Sequence, residues 1–394
     1  MTGSTAAAIY LDHAATTPLR NEVREAIAAA ETAGFANPSS PHALGRQARR
    51  LLDESRERII AALGGRTTGR DHDRLVFTSG ATEANRLALL GIAGGGQTAC
   101  RWSARDHGSI AAAARQLGDR GGDVALLPLL SSGRLDCGPL HWPATAIRRL
   151  LCTTLVCGQT GSVEDVAAVR AAAGDCRIHV DATQAVAVEP VSFAALDATT
   201  LAFAPHKFGG PRGIGCLLVR GDAELAAVTP GPQEAGLRGG TEAVPLAVGC
   251  ATAVELAVAA RDGEARRLRD LRERLETGLR TAAAAVGRAA VVIAADTPRA
   301  AHITTIAFPG SDRQAFVMAA DLEGVCCATG TACASGSSLP APALEALGLP
   351  PLLTAAAVRF SLGWTTTVDD IDAAIARLSG ILQRRPGTSG QVAS

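Results

Sequence analysis

Residues 74–85, "RLVFTSGATEAN", run through a short apolar strand into Ser79-Gly80-Ala81-Thr82, which opens a helix. A strand that turns directly into a helix is the half-step of a covered α/β sheet. Six further short segments repeat the strand pattern: "TACRWSA", "DVALLPL", "RRLLCTTLV", "CRIHVDATQ", "TTLAFAPHK" and "GIGCLLVR". Before them, "NEVREAIAAAETAG" and "HALGRQARRLLDESRERIIAALGG" carry the 3.6-residue apolar period of helices. The fold expected is α/β, with a mainly parallel seven-stranded sheet covered by helices over a large domain at 15–258. A helix at 247–260 and a separate charged helix at 264–280 then bridge to a smaller α+β domain. That domain takes residues 1–14 and 259–385, with "AHITTIAFPG", "GVCCATG" and "AAVRFSLG" as strands and "TVDDIDAAIARLSGILQRR" as a closing helix. Residues 386–394 are expected to be a flexible tail.

Composition narrows the function classes. The 394 residues are 47% hydrophobic and 19% charged, which is ample for a core. Acidic and basic residues balance at 38 each, without the basic excess expected of a nucleic-acid binder. The start "MTGSTAAAIYLDHAATTP" lacks the basic and apolar regions of a secretory signal. No uninterrupted apolar run reaches the ~18–20 residues of a membrane helix. The ten cysteines contain no CxxC pair and suit neither a zinc site nor a disulfide scaffold, so they are expected to be cytoplasmic thiols.

Among 38 basic residues, Lys207 in "AFAPHKFGGPRGIG" is the single lysine. A primary amine in apolar surroundings loses its proton readily and can form a Schiff base, which a guanidinium cannot do. The Ser79–Thr82 turn offers free N–H groups and a positive dipole end as a phosphate seat, or else a capping box closed by Glu83. Asp181 ends an apolar strand in "CRIHVDATQAV", with Gln184 three residues on; a strand-end carboxylate is either a cap or a site residue. Phosphate seat, strand-end aspartate and reactive lysine together describe a pyridoxal-phosphate site, in which the Asp keeps the pyridine nitrogen protonated. Cys333, in the small-residue loop "GTACASGSS", is the best candidate for a reactive thiol. Arg359, alone in the apolar strand "AAVRFSLGW", needs an anion, either a substrate carboxylate or a structural ion-pair partner.

The chain resembles the cysteine desulfurases, in the class V aminotransferase group of fold-type I pyridoxal-phosphate enzymes. "IYLDHAATTP", "ANPSSPHALGRQAR", "VFTSGATEAN", "HVDATQAV", "HKFGGPRGIG", "LRGGTE", "GTACASGSS" and "VRFSLG" come in family order and at family spacing. The resemblance implies that Lys207 holds the cofactor and moves protons, that Asp181 pairs with the ring nitrogen and Gln184 with the ring oxygen, and that His107 stacks on the ring. It places Ala81, Thr82 and His206 at the phosphate. Thr241 would reach the phosphate of the partner subunit, which implies a homodimer with shared sites. Cys333 would take sulfur from L-cysteine as a persulfide, leaving alanine, and pass it to an acceptor protein; Arg359 would hold the substrate carboxylate. Two departures stand out: Gly158 in "CGQTG" where the family has Asn beside the ring, and Ala204 in "APHK" where it has a phosphate-contacting Ser. Each lost hydrogen bond to a charged group is worth roughly 1.5–3 kcal/mol. A related C–S or selenocysteine lyase, or a scaffold without turnover, are the alternatives.

Overall fold

The computed structural model describes residues 8–94, 97–138, 140–330 and 341–384. Its strands are β1 (Ile9–Tyr10), β2 (Arg74–Thr78), β3 (Thr98–Ser103), β4 (Asp123–Leu127), β5 (Arg148–Thr154), β6 (Arg177–Asp181), β7 (Thr200–Phe203), β8 (Gly215–Val219), β9 (Val291–Val292), β10 (Ile303–Ala307), β11 (Val325–Cys326) and β12 (Ala357–Ser361).

All seven segments expected as strands of the large sheet form it, in the order β2-β8-β7-β6-β5-β3-β4. Strands β7, β6, β5, β3 and β4 run parallel, and β8 runs against both of its neighbours. The central strands are buried along almost their whole length, as near-continuous apolar runs require when helices cover both faces. Edge strand β4 is the exception, with Leu126 more than half exposed. On one face the Ala81–Ala93 helix packs against β7 and β8 and is buried on nearly every side. Its first turn sits hard against β8. A Cβ at Gly215 would come within 2.3 Å of the Gly80 backbone, so only glycine lets the strand meet the helix entrance.

A second group of strands forms around the other end of the chain. Strand β10 pairs antiparallel with β12 and β9, and β1 pairs in parallel with β11. The segment after β1 is stitched to β12: the Ser361 N–H donates to Leu11 O (2.8 Å) and Ala14 N–H donates to Ser361 Oγ (2.8 Å).

Between the two groups the structure departs from the expected pair of helices. Val244–Ala285 is one continuous helix of 42 residues. Gly263 lies on an open side of it, and one interior glycine costs only ~1 kcal/mol relative to alanine. That cost is outweighed because both halves are anchored. The first half packs on the Asn21–Ala33 and Ala43–Ala62 helices and the second on Val368–Gln383. Over an 18-residue window the helix is apolar enough to span a membrane by length and composition, and nearly half of that window is buried in the fold.

Candidate active site

The carboxyl ends of β5, β6 and β7 form a floor, the crevice where open α/β sheets place ligands. Asp181 closes β6 and is buried. Its Oδ1 accepts from the Thr183 N–H (2.9 Å) and its Oδ2 from Asn85 Nδ2 (2.8 Å). No salt bridge reaches it among the described residues. Asn85 lies one turn into the Ala81–Ala93 helix, so the helix that begins at the Ser79–Thr82 turn also reaches the aspartate. The second Asn85 N–H reaches Ser109 Oγ (2.9 Å), and that hydroxyl lies 2.8 Å from His107 Nδ1. His107 caps the Gly108–Asp119 helix, accepting from the Ser109 N–H (3.2 Å). Next to it, Asp106 is buried, and burial raises its carboxyl to about 6.

The wall facing this floor is the N-terminal segment. Lys207 ends the short 3₁₀ turn after β7, and its Nζ donates to the carbonyls of Ala14 (2.7 Å) and Ala15 (2.8 Å). Gln184 Nε2 donates to the same Ala14 carbonyl (2.9 Å), and its Oε1 lies 3.4 Å from His302 Nε2. The carbonyl of His206 accepts from the Thr17 N–H (2.8 Å) and Oγ1 (3.0 Å), while its ring Nδ1 lies 3.2 Å from Thr16 Oγ1. Burial first, then the charges of Lys207 and Arg212, lower the His206 imidazole to about 4. Ala204 is buried at the end of β7 and contributes no hydroxyl.

At the far end, the capping alternative is realised in half: Glu83 Oε2 accepts from the Ser79 N–H (2.6 Å), but the cap position is Gly80, without a side chain. Among the described residues nothing lies within 4 Å of a Cβ built at Gly80 or at Gly108, so these two helix N-termini front space that those residues leave open. Thr82 is exposed there. Thr241 is also exposed; it lines a cavity of about 140 Å³ with Thr78, Ser79 and Glu242 of the same chain.

Arg359 in β12 is buried and already paired. Its Nη2 donates to Asp12 Oδ1 (2.9 Å) and its Nη1 to the Gly158 carbonyl (2.9 Å). The ion-pair alternative is therefore present in the fold, and the guanidinium's buried Nε has no hydrogen bond among the described residues. Among the described residues a Cβ at Gly158 would meet only Gln184, at 3.7 Å, so a glycine here leaves room in front of the glutamine. Gln159 Nε2 donates to the carbonyl of Gly330. Cys333 lies outside the described residues. Of its described neighbours, Cys327 is pushed up to about 12 by burial, which makes it a poor nucleophile.

Contacts thus bring together Lys207 and Gln184, and separately Asp181 with His107. Asn85, His179, Ser109 and Asp12 were not singled out from the sequence. The signals were present: Asn85 stands one helical turn past the Ser79–Thr82 turn, and His179 stands two residues before Asp181, on the same strand face.

The class-V aminotransferase family model matches residues 9–374. An IscS-like cysteine desulfurase of Mycobacterium tuberculosis is 34% identical, over 95% of this chain and 96% of its own length. The cysteine desulfurase IscS of Dictyoglomus turgidum is 32% identical, over 95% of each. Among solved structures, a NifS-like protein superposes with a TM-score of 0.85 at 25% identity, covering 95% of this chain and 99% of its own. SspA, determined in complex with cysteine, gives 0.74 at 26% identity, covering 90% and 98%.

Proposed function

Because the chain belongs to the class-V aminotransferase family and is a cysteine desulfurase, we propose that it uses pyridoxal phosphate on Lys207 to take sulfur from L-cysteine, and passes that sulfur through Cys333 to an acceptor protein. The observation that carries this reading is the pairing of an amine and an anion of opposite character. Lys207 is moored to neutral carbonyls that it can leave, and Asp181 is moored to neutral donors that leave its charge uncancelled. The donor set fits the cofactor. The open-fronted helix N-termini at Gly80 and Gly108 suit a phosphate and a ring, with Ala81, Thr82 and His206 on the phosphate and His107 on the ring face. When bound, pyridoxal phosphate supplies a carbonyl to the lysine amine and an electron sink for the substrate.

The chain's residues do the rest. Asp181 holds the ring-nitrogen proton and Gln184 donates toward the ring oxygen. Arg359 receives the cysteine carboxylate, sharing its guanidinium with Asp12, and Lys207 Nζ moves protons at the substrate carbons. The Cys333 thiolate attacks the substrate sulfur. An S–S bond forms as the C–S bond breaks, and the C–S electron pair stays on carbon and takes a proton to give alanine. A solved relative bound to cysteine supports this substrate class. The working form in this reading is a cytoplasmic homodimer in which Thr241 serves the partner subunit's phosphate.

Incubation with cysteine, followed by mass analysis of the peptide containing Cys333, tests the reading. One added sulfur is expected, with a visible absorbance band that disappears in Lys207→Ala. Alanine release that survives undiminished in Cys333→Ala would instead identify a lyase.

A further inference from the structure

The floor contains a buried imidazole to which none of the steps above gives a task. His179 sits in β6, paired across the ladder with Thr200 of β7 and on the same strand face as Asp181. Its Nδ1 lies 2.9 Å from Thr200 Oγ1 and its Nε2 lies 2.9 Å from Asn85 Oδ1. The direction of every bond here follows from one charge. Asp181 is acceptor-only when ionised, so the Asn85 atom 2.8 Å from it is the amide nitrogen. The Asn85 oxygen then faces His179, and Nε2 carries the imidazole proton. Nδ1 is bare and accepts from the Thr200 hydroxyl. Ser109 Oγ accepts from the second amide N–H, so its own proton points to His107.

We propose that His179 and Asn85 are positioning residues: a charge-neutral relay in which the imidazole fixes the polarity of the amide, and the amide holds Asp181 as an oriented anion facing the cofactor's ring nitrogen. Complete burial, acting against the nearby Asp181 charge, lowers His179 to about 4 and keeps it neutral over the working pH range. Neutrality matters because a charged imidazole this close would cancel the aspartate's field. An amide also does what no other side chain of its size can. It presents one acceptor to His179 and two donors to the floor, with every polar atom partnered.

The consequence for the cofactor rests on the proposed function; the relay itself does not. The test therefore has two arms. In the full chain labelled with 15N-histidine, with the resonances assigned through His179→Gln, His179 is expected to hold its proton on Nε2 and not to titrate above pH 5. A proton on Nδ1 overturns the relay. In the second arm, pyridoxal-phosphate affinity is measured by titration of the cofactor-free chain. His179→Leu is expected to weaken it about tenfold, and His179→Gln, whose amide can donate to Asn85, to restore it to within about twofold. Asn85→Asp keeps the shape but sets a second carboxylate against Asp181, so that the pair must share a proton. It is expected to bind more weakly than the truncated Asn85→Ala. A packing role would give the opposite order, and that order overturns the proposal even if His179→Leu fails to fold. If the unmutated chain takes up no pyridoxal phosphate, the proposed function fails, and the tautomer still decides the relay.

Discussion

The floor on the large sheet and the wall made by the N-terminal segment meet the same site, but they are held in different ways. On the floor, Asp181 is held through Asn85 by a set of hydrogen bonds whose other members, Asn85, His179 and Ser109, are buried and neutral. On the wall, Lys207 and Arg359 both reach the four residues Asp12 to Ala15, and Arg359 also reaches Gly158. The lysine is held by carbonyls, and the arginine by one carboxylate and one carbonyl. The difference separates what must stay from what must move. A preset anion loses nothing by full enclosure, because no reorganisation is needed when the reaction proceeds. A lysine that forms and releases a covalent bond needs partners it can leave, and a backbone carbonyl is weaker than a carboxylate for that purpose.

Removing the mobile member has the largest expected effect. Lys207→Ala should abolish turnover, by at least ~10²–10⁴-fold if only proton transfer were lost, as measured by alanine release. Asp181→Asn should follow. An amide there carries no charge, and the loss of ~1.5–3 kcal/mol corresponds to roughly a ten- to 150-fold fall in cofactor affinity or rate. If both variants merely lowered thermal stability, the distinction between a fixed floor and a working wall would collapse. Arg359→Ala should raise the cysteine concentration needed for half-maximal rate, on the order of tenfold for one lost charged hydrogen bond. Unchanged substrate dependence would leave Arg359 with only its Asp12 partnership.

Acid should separate the two regions. His13 and His206 are lowered to about 4 and His302 to about 3, in each case first by burial, and all three stand on the wall side. Such groups are neutral when folded and charged when unfolded below their ordinary value near 6.5. The stability they contribute is complete above that pH and is lost as pH falls toward 4. Each contributes a slope of up to about 1.4 kcal/mol per pH unit. On the floor, His179 acts in the same sense, but Asp106, raised to about 6, acts against it: folded and protonated there, it stabilises as pH falls. Hydrogen exchange at pH 5 should therefore show the 12–17 segment and its neighbours opening before β5 and β6 do. The smallest effect expected is from Ala204→Ser. If the cofactor phosphate lies against this buried position, the added hydroxyl should tighten pyridoxal-phosphate binding by ~1 kcal/mol; without such a partner it should cost stability instead.

The large sheet was legible because its signal is local. Seven apolar runs bounded by turns and helices can hardly be read otherwise, and the seven strands fall where the runs are. The 42-residue helix was read as two because the change from apolar to charged at residue 260 looks like a boundary. In the fold it marks where the helix leaves one set of neighbours for another. Lys207 and Asp181 stand out in the sequence by their chemistry. Asn85 and His179 carry only a positional signal, because an amide and an imidazole in apolar surroundings look like ordinary core polar residues until the Ala81–Ala93 helix packs on the sheet and sets them side by side. Asp12 was hidden for a different reason: its partner Arg359 is 347 positions away.

That separation bears on how the enzyme comes into being. Ile9 and Tyr10 pair with Val325 and Cys326, and Leu11 to Ala14 are stitched to Ser361. A ribosome releases the N-terminal segment first; its Ala14–Thr17 end can meet Gln184, His206 and Lys207, but Ile9 to Ala14 lack their strand partners until residues more than three hundred positions later have emerged. Loop closure over such a span is slow relative to the local strand–helix steps of the large sheet. The floor can therefore mature during synthesis, while the wall, and with it the carbonyls that hold Lys207, is set last. Under the proposed function, capture of the cofactor is in this sense a checkpoint on the whole chain, since a product truncated before β11 would carry the lysine and the segment that holds it, but not the strands that fix that segment in place.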